Sequence, residues 1–79
     1  MSNMSMVNWA HKYHGINDSH SKNHCRDSLT KDRADLEKVV KEIKDAAEDP
    51  SDYFIQEIIL GFENDIAKID EALELIKET

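Results

Sequence analysis

A chain of 79 residues with a formal net charge of −7 and one cysteine has room for a single small domain. Such a domain buries only about 60% of the surface that its unfolded chain exposes, so we expect its core to need a metal, a disulfide or a second surface. The lone Cys25 excludes an intrachain disulfide, and no run of about 18 apolar residues exists that would span a bilayer. The first residues lack the basic cluster and the unbroken apolar stretch of a signal peptide, so we expect a cytoplasmic protein with no membrane role.

The charge is divided unevenly along the chain. Residues 1–27 carry three basic and two acidic side chains together with all four histidines, whereas residues 28–79 carry seven basic and fifteen acidic side chains. The acidic part repels phosphate backbones, so we expect no direct binding of nucleic acid there and a basic protein as the natural partner.

The N-terminal segment, residues 1–27, predicts one short helix followed by a polar stretch. Ser5 is the expected N-cap of that helix, and Gly15 is expected to end it in a Schellman motif, which requires a positive φ. Residues 17–27 are polar, rich in histidine and typical of turns, which predicts a loop or a single helical turn. The apolar side chains that recur at helical spacing in this first helix are Met6, Trp9, Ala10 and Tyr13.

A second helix is predicted at about residues 29–48. Its apolar residues Leu29, Leu36, Val40 and Ile43 keep helical spacing, and its other face carries opposite charges four residues apart. Ser28 or Thr30 is the expected cap. Since Pro50 disfavours helical geometry at the residue before it, we expect this helix to stop near residue 48.

A third helix is predicted at about residues 50–78. Its apolar residues are spaced 4, 3, 4, 3, 4, 3, which is typical of a helix that packs along a neighbour. Asp49, Pro50 and Asp52 suit the N-cap, the first helical position and the third. With one or two residues left between the helices, the chain must fold back, so residues 28–79 predict an acidic antiparallel αα-hairpin in a single all-α domain.

Apolar side chains surround the start of the third helix instead of following one stripe. A lone hairpin cannot cover all of them, so the N-terminal segment, a second copy forming a four-helix bundle, or a foreign target must do so. We therefore expect a homo-oligomer, dimer or larger, or a complex with a protein partner. The residues predicted to form this core or oligomer surface are Phe54, Ile55, Ile58, Ile59, Leu60, Phe62, Ile66, Ile69, Leu73 and Ile76.

Two small-molecule hypotheses arise in the N-terminal segment. The first is a metal site, most simply for Zn²⁺, whose candidate ligands are His11, His14, His20, His24 and Cys25; the spacing matches no familiar zinc module. The second is a nucleotide site in an oligomer, with aromatic stacking and positive charge supplied by Trp9, Lys12, Tyr13, Lys22 and Arg26. Surface histidines and core aromatic residues are the simpler explanation of both sets.

The sequence lacks the groups of residues that an enzyme's active site would require. The two glycines, Gly15 and Gly61, are too far apart to form a phosphate-binding loop, and no glycine turn accompanies Cys25 to form an oxyanion hole. We therefore expect a protein-interaction module and no enzyme. In general character it resembles small acidic inhibitors that occupy a basic surface, including phage accessory proteins that disarm host defences. The acidic residues predicted to steer association with such a partner are Glu57, Glu63, Asp65, Asp70, Glu71 and Glu74.

Overall fold

Three α-helices build the protein. The computed structural model describes residues 4–77, in which α1 spans Ser5–Tyr13, α2 spans Ser19–Ala46 and α3 spans Tyr53–Lys77. The two long helices pack against each other as an antiparallel hairpin, and α1 contacts both. The predicted all-α fold, a short N-terminal helix ahead of a two-helix hairpin, is thus confirmed. No helix within residues 4–77 is both long and apolar enough to cross a bilayer.

The start of α2 lies ten residues earlier than predicted, so the prediction of a loop at residues 17–27 is wrong. Asp18 caps the helix: its carboxylate accepts hydrogen bonds from the Ser21 amide at 3.2 Å and from the Ser21 hydroxyl at 2.8 Å. The next turns place Lys22 and Cys25 on the buried side, in line with Leu29. A long lysine stem and a small thiol continue the apolar stripe there, although neither is a typical core residue.

The two ends of α1 also differ from the prediction. Ser5 is the first helical residue and not the cap, and the preceding Met4 makes no side-chain capping bond. His14 is the C-cap, and the amide of Ile16 bonds to the carbonyl of Tyr13 at 3.1 Å. No glycine in the described residues has a positive φ, so the helix ends without the Schellman motif expected at Gly15.

The connection between α2 and α3 is six residues long, not one or two. Asp49, the predicted N-cap of the third helix, instead holds the turn by accepting bonds from the Ser51 amide and hydroxyl at 3.0 and 2.6 Å. Those bonds lower the pKa of Asp49. The cap is Asp52, whose carboxylate accepts from the Phe54 amide at 2.9 Å and whose carbonyl accepts from the Gln56 amide. The predicted end at Glu78 lies outside the described residues.

The core lies at the end of the hairpin away from this connection. Here α1 packs on its own hairpin, because Val7 and Ala10 join residues of α2 and α3 in one buried cluster. Of the predicted core residues, Ile59, Ile69 and Ile76 are buried, and Phe62, Ile66 and Leu73 are partly buried against that cluster. The buried cluster consists of Val7, Ala10, Cys25, Leu29, Leu36, Ile69, Ala72 and Ile76.

The molecule is elongated, with extents of 49 × 18 × 16 Å and a radius of gyration of 14.7 Å. A compact chain of this length would have a radius of gyration of about 12 Å. The nine residues of α1 rise about 14 Å, whereas the 25 residues of α3 rise about 38 Å. The short helix therefore covers only part of the hairpin, and the part near the connection has two helices instead of three.

Candidate partner-binding surface

Four large apolar side chains are exposed at the connection end of α3, and we call them the apolar tip. Tyr53 is 71% exposed, Phe54 75%, Ile58 48% and Leu60 52%. Because α1 packs at the opposite end, residues 4–27 of the N-terminal segment do not cover them, which leaves a second copy or a foreign target. An exposed apolar cluster of this kind is characteristic of an interaction surface.

The apolar tip divides between two sides of α3. Phe54 and Ile58 are four residues apart and lie on the side that carries Ile69, Ala72 and Ile76 farther along the helix. Tyr53 and Leu60 are seven residues apart and share a different side, well over a quarter-turn away. Between them, half-buried Ile55 and buried Ile59 face α2, so the neighbouring helix covers only one flank of this segment.

Beyond the end of α1, helical spacing places apolar side chains of both α2 and α3 on the flank of the hairpin on which α1 packs, and we call this flank the tip groove. On α3 it is lined by Phe54 and Ile58. On α2 it is lined by Val39 and Ile43, which are half-buried and lie on the same flank as Cys25, the residue whose thiol donates to the Met6 carbonyl of α1 at 3.4 Å. The groove is therefore the continuation of the surface on which α1 packs.

Acidic residues outnumber basic ones around the apolar tip, where Lys41 and Lys44 of α2 share a cleft with Asp45 and Glu63. Between Lys44 and Lys68 the chain has seven acidic residues and no Lys, Arg or His. All seven except the half-buried Asp65 are exposed. The sequence carries this concentration as a gap in basic residues, which charge totals for residues 1–27 and 28–79 do not show. The seven are Asp45, Glu48, Asp49, Asp52, Glu57, Glu63 and Asp65.

The six acidic residues predicted to contact a partner do not share one face. Asp70 accepts a hydrogen bond from Arg33 Nε at 2.6 Å, which raises the pKa of Arg33, and Arg33 also pairs with Glu37. Glu71 and Glu74 lie near the C-terminal end of α3, beside His14. Glu57, Glu63 and Asp65 lie closer to the connection, on three different sides of the helix.

The candidate metal ligands do not converge. Cys25 is fully buried, and burial raises the pKa of its thiol, whereas the four histidines are exposed. His20, His24 and Cys25 line one cleft of about 370 Å³ between α1 and α2, together with Trp9, while His14 faces the end of α3. Within residues 4–77 no three His, Cys, Asp or Glu side chains are grouped as a metal site requires.

The candidate nucleotide-binding residues form two separate groups. Trp9, Lys12 and Tyr13 are together on α1, with the two ring centroids 5.5 Å apart and the Lys12 ammonium 5.3 Å from the centroid of the Tyr13 ring. Lys22 is buried beside the α1–α2 loop, and Arg26 donates to the Asn23 side chain at 2.6 Å. Neither lines the cleft that contains Trp9, so the rings and these cations do not enclose a common site.

Comparisons with protein-family models, with curated proteins and with solved structures each gave no match. The function of the chain is therefore inferred from its own surface. Its most distinctive part is the connection end of the hairpin, where exposed apolar side chains and acidic side chains lie together.

Proposed function

We propose that this protein is a helical interaction module that acts by binding a basic protein through the apolar tip, and that it performs no chemistry on its partner. The observation that carries the proposal is the exposure of four large apolar side chains, Tyr53, Phe54, Ile58 and Leu60, on an ordered helix. Fully burying a large apolar side chain contributes about 1.5 to 3 kcal/mol, so a surface that covered these partly exposed side chains would gain a fraction of that from each.

The acidic surroundings of the apolar tip favour a basic partner. Seven acidic residues between positions 44 and 68, with Lys41 and Lys44 beside two of them, leave an excess of negative charge at this end of the molecule, and a positive target would be attracted to it over a distance set by the ionic strength. The effect on the target would be occlusion of its basic surface, as in an inhibitor. An anti-defence protein of phage type is one form that such an inhibitor takes.

A second copy is the other candidate for covering the apolar tip, and salt distinguishes the two. Tip-to-tip association would bring two acidic ends together, so screening by salt would strengthen it. Association with a basic partner would weaken as salt rises. Light scattering on the isolated protein at 50 mM and 500 mM NaCl therefore tests self-association. Tip-to-tip association predicts a larger average mass at the higher salt concentration.

Site-specific photo-crosslinking in the native cells tests the proposal. A photoreactive phenylalanine analogue at Phe54 is expected to capture a basic protein, and the same group at exposed Lys41 on α2 is the control. The captured protein, once purified, should bind the wild type more weakly at high salt than at low salt. At the same salt concentration it should bind a Phe54→Ser variant more weakly than it binds the wild type. Crosslinks from position 54 only to a second copy, or equal capture from position 41, would contradict the proposal.

A further inference from the structure

The packing of α1 illustrates how this hairpin receives a third helix. Val7 and Ala10 of α1 enter the buried cluster that contains Ile69 and Ala72 of α3. On the α2 side, the Cys25 thiol contacts the Met6 carbonyl. The surface between α2 and α3 is thus a seat for a helix, and at one end of the hairpin the chain's own N-terminal helix occupies that seat.

The same seat continues past α1, and no other segment within residues 4–77 occupies it there. Along α3, positions 76, 72, 69, 65, 61, 58 and 54 follow one another at intervals of three or four residues and so lie on one side. Exposure rises along this line, from 0% at Ile69 to 48% at Ile58 and 75% at Phe54. From Ile69 to Phe54 the helix rises about 22 Å, which is the length of about four helical turns.

Gly61 leaves space at the middle of this line. A Cβ built on Gly61 would meet no atom within 4 Å, so its lack of a side chain relieves no crowding inside the molecule. Glycine nevertheless costs about 1 kcal/mol relative to alanine in a helix interior. A helix docked in the tip groove would approach the backbone of α3 most closely at this position. Such docking would account for the glycine, whereas the packing of the free chain does not.

The charges select the kind of helix that would fit. Exposed Glu42 on α2 and Glu57 on α3 lie on the two edges of the tip groove and Asp52 lies at its end, whereas exposed Lys68 lies on the Glu57 edge at the end nearest α1. The occupant of the other end, α1, has no acidic residue and carries His11 and Lys12. A second copy of the hairpin would bring its own acidic edges, so charge complementarity favours a basic helix of another protein.

We infer that the tip groove binds one basic amphipathic helix of about four turns from the partner, in the seat that α1 would occupy if it extended along the hairpin. This inference rests on the proposed function and specifies its geometry: apolar side chains at intervals of three and four residues enter the groove. Lysine or arginine side chains flank them and face Glu42 and Glu57.

The test uses a matched pair of substitutions. Ile58 and Leu60 are both about half-exposed and equal in size, but only Ile58 lines the groove. The probe is a fluorescent 15-residue peptide of Leu, Ala and Lys with its leucines at helical spacing, and its control has Glu in place of Lys. By fluorescence anisotropy with the full chain, the lysine peptide should bind wild type and Leu60→Gln equally and Ile58→Gln at least tenfold more weakly, and the glutamate peptide should not bind.

A second pair separates docking from folding. The Cβ of Gly61→Gln meets no atom within 4 Å, and the substitution removes a helix-breaking residue, so the melting temperature should stay the same or rise. The glutamine side chain would fill the seat, so the affinity for the lysine peptide should fall at least tenfold. Asn64→Gln, on another side of α3, should change neither quantity.

Four outcomes would overturn the inference. Equal weakening by Ile58→Gln and Leu60→Gln would place the contact outside the groove and leave the proposed function standing. Failure of the lysine peptide to bind, or equal binding of the glutamate peptide, would count against both. A dimer of the peptide-free protein that Ile58→Gln dissociates and Leu60→Gln does not would assign the groove to a second copy.

Discussion

Isoleucines of α3 have very different environments although they share one helix. Ile69 is fully buried between all three helices, whereas Ile58, eleven residues earlier on the same side, is half-exposed. The apolar spacing in the sequence predicted that both belong to a contact surface, and it predicted Ile69 correctly as core. It did not distinguish them, because the difference depends on where α1 ends along the hairpin.

Replacing Ile69 by alanine should destabilise the fold by about 2 to 5 kcal/mol, because it leaves a cavity where the three helices meet. Ile58→Ala removes the same atoms from a half-exposed position and should cost less than about 1 kcal/mol. Urea unfolding followed by circular dichroism measures both. Equal losses from the two variants would mean that the core is not where α1 meets the hairpin.

Cys25 reports whether α1 stays on the hairpin. Burial raises the pKa of its thiol, so the reactive thiolate is scarcer at neutral pH than in an exposed cysteine, and stability should decline as the pH rises through the thiol range. Ellman's reagent at pH 8 should therefore react with the native protein far more slowly than with the protein in guanidinium. Equal rates in the two solutions would show that α1 does not cover this residue.

At the scale of helices, the sequence predicted three elements and their order, and the errors are at the boundaries. The start of α2 was missed because its first turns are polar and its buried residues there, Lys22 and Cys25, are recognisable as core only once α1 is in place. For α3, both Asp49 and Asp52 had the chemistry of a cap. Local spacing does not distinguish them. In the structure Asp49 stabilises the turn and Asp52 caps the helix.

The capping role of Asp18 predicts an acid-dependent loss of stability. Hydrogen bonds from the Ser21 side chain and amide lower the pKa of Asp18. A carboxyl whose pKa is lower in the folded state stabilises the fold above its unfolded pKa, and that stabilisation disappears as the pH falls below about 4 and through the folded pKa. Asp18→Ala should lower the melting temperature by several degrees at pH 7 and flatten this acid limb.

Asp18→Asn is the control for that experiment, because asparagine keeps a capping oxygen but does not titrate in this range. Its melting temperature at pH 7 should remain nearer to wild type than that of Asp18→Ala, and its acid limb should be reduced like that of the alanine variant. If Asp18→Ala melts like the wild type and loses stability in acid like the wild type, then the Asp18 cap does not stabilise the start of α2.

For the whole molecule, the decisive feature is a mismatch of lengths. A helix of nine residues packs on a hairpin of more than twice its length, so a three-helix core exists at one end and a two-helix remainder at the other. The sequence revealed the surplus of apolar side chains near Phe54 and Leu60. It did not reveal the tip groove. The tip groove begins where α1 ends along the hairpin, and only the fold shows where that is.

The central claim is that the tip groove is open in the isolated protein and is closed by a basic helix. Solvent paramagnetic relaxation of methyl signals, recorded before and after addition of the lysine peptide, tests it directly. The Ile58 and Leu60 methyl groups should both relax strongly in the free protein while those of Ile69 do not, and the peptide should protect Ile58 alone. Protection of Ile58 in the free protein, or continued exposure at saturating peptide, would contradict the account.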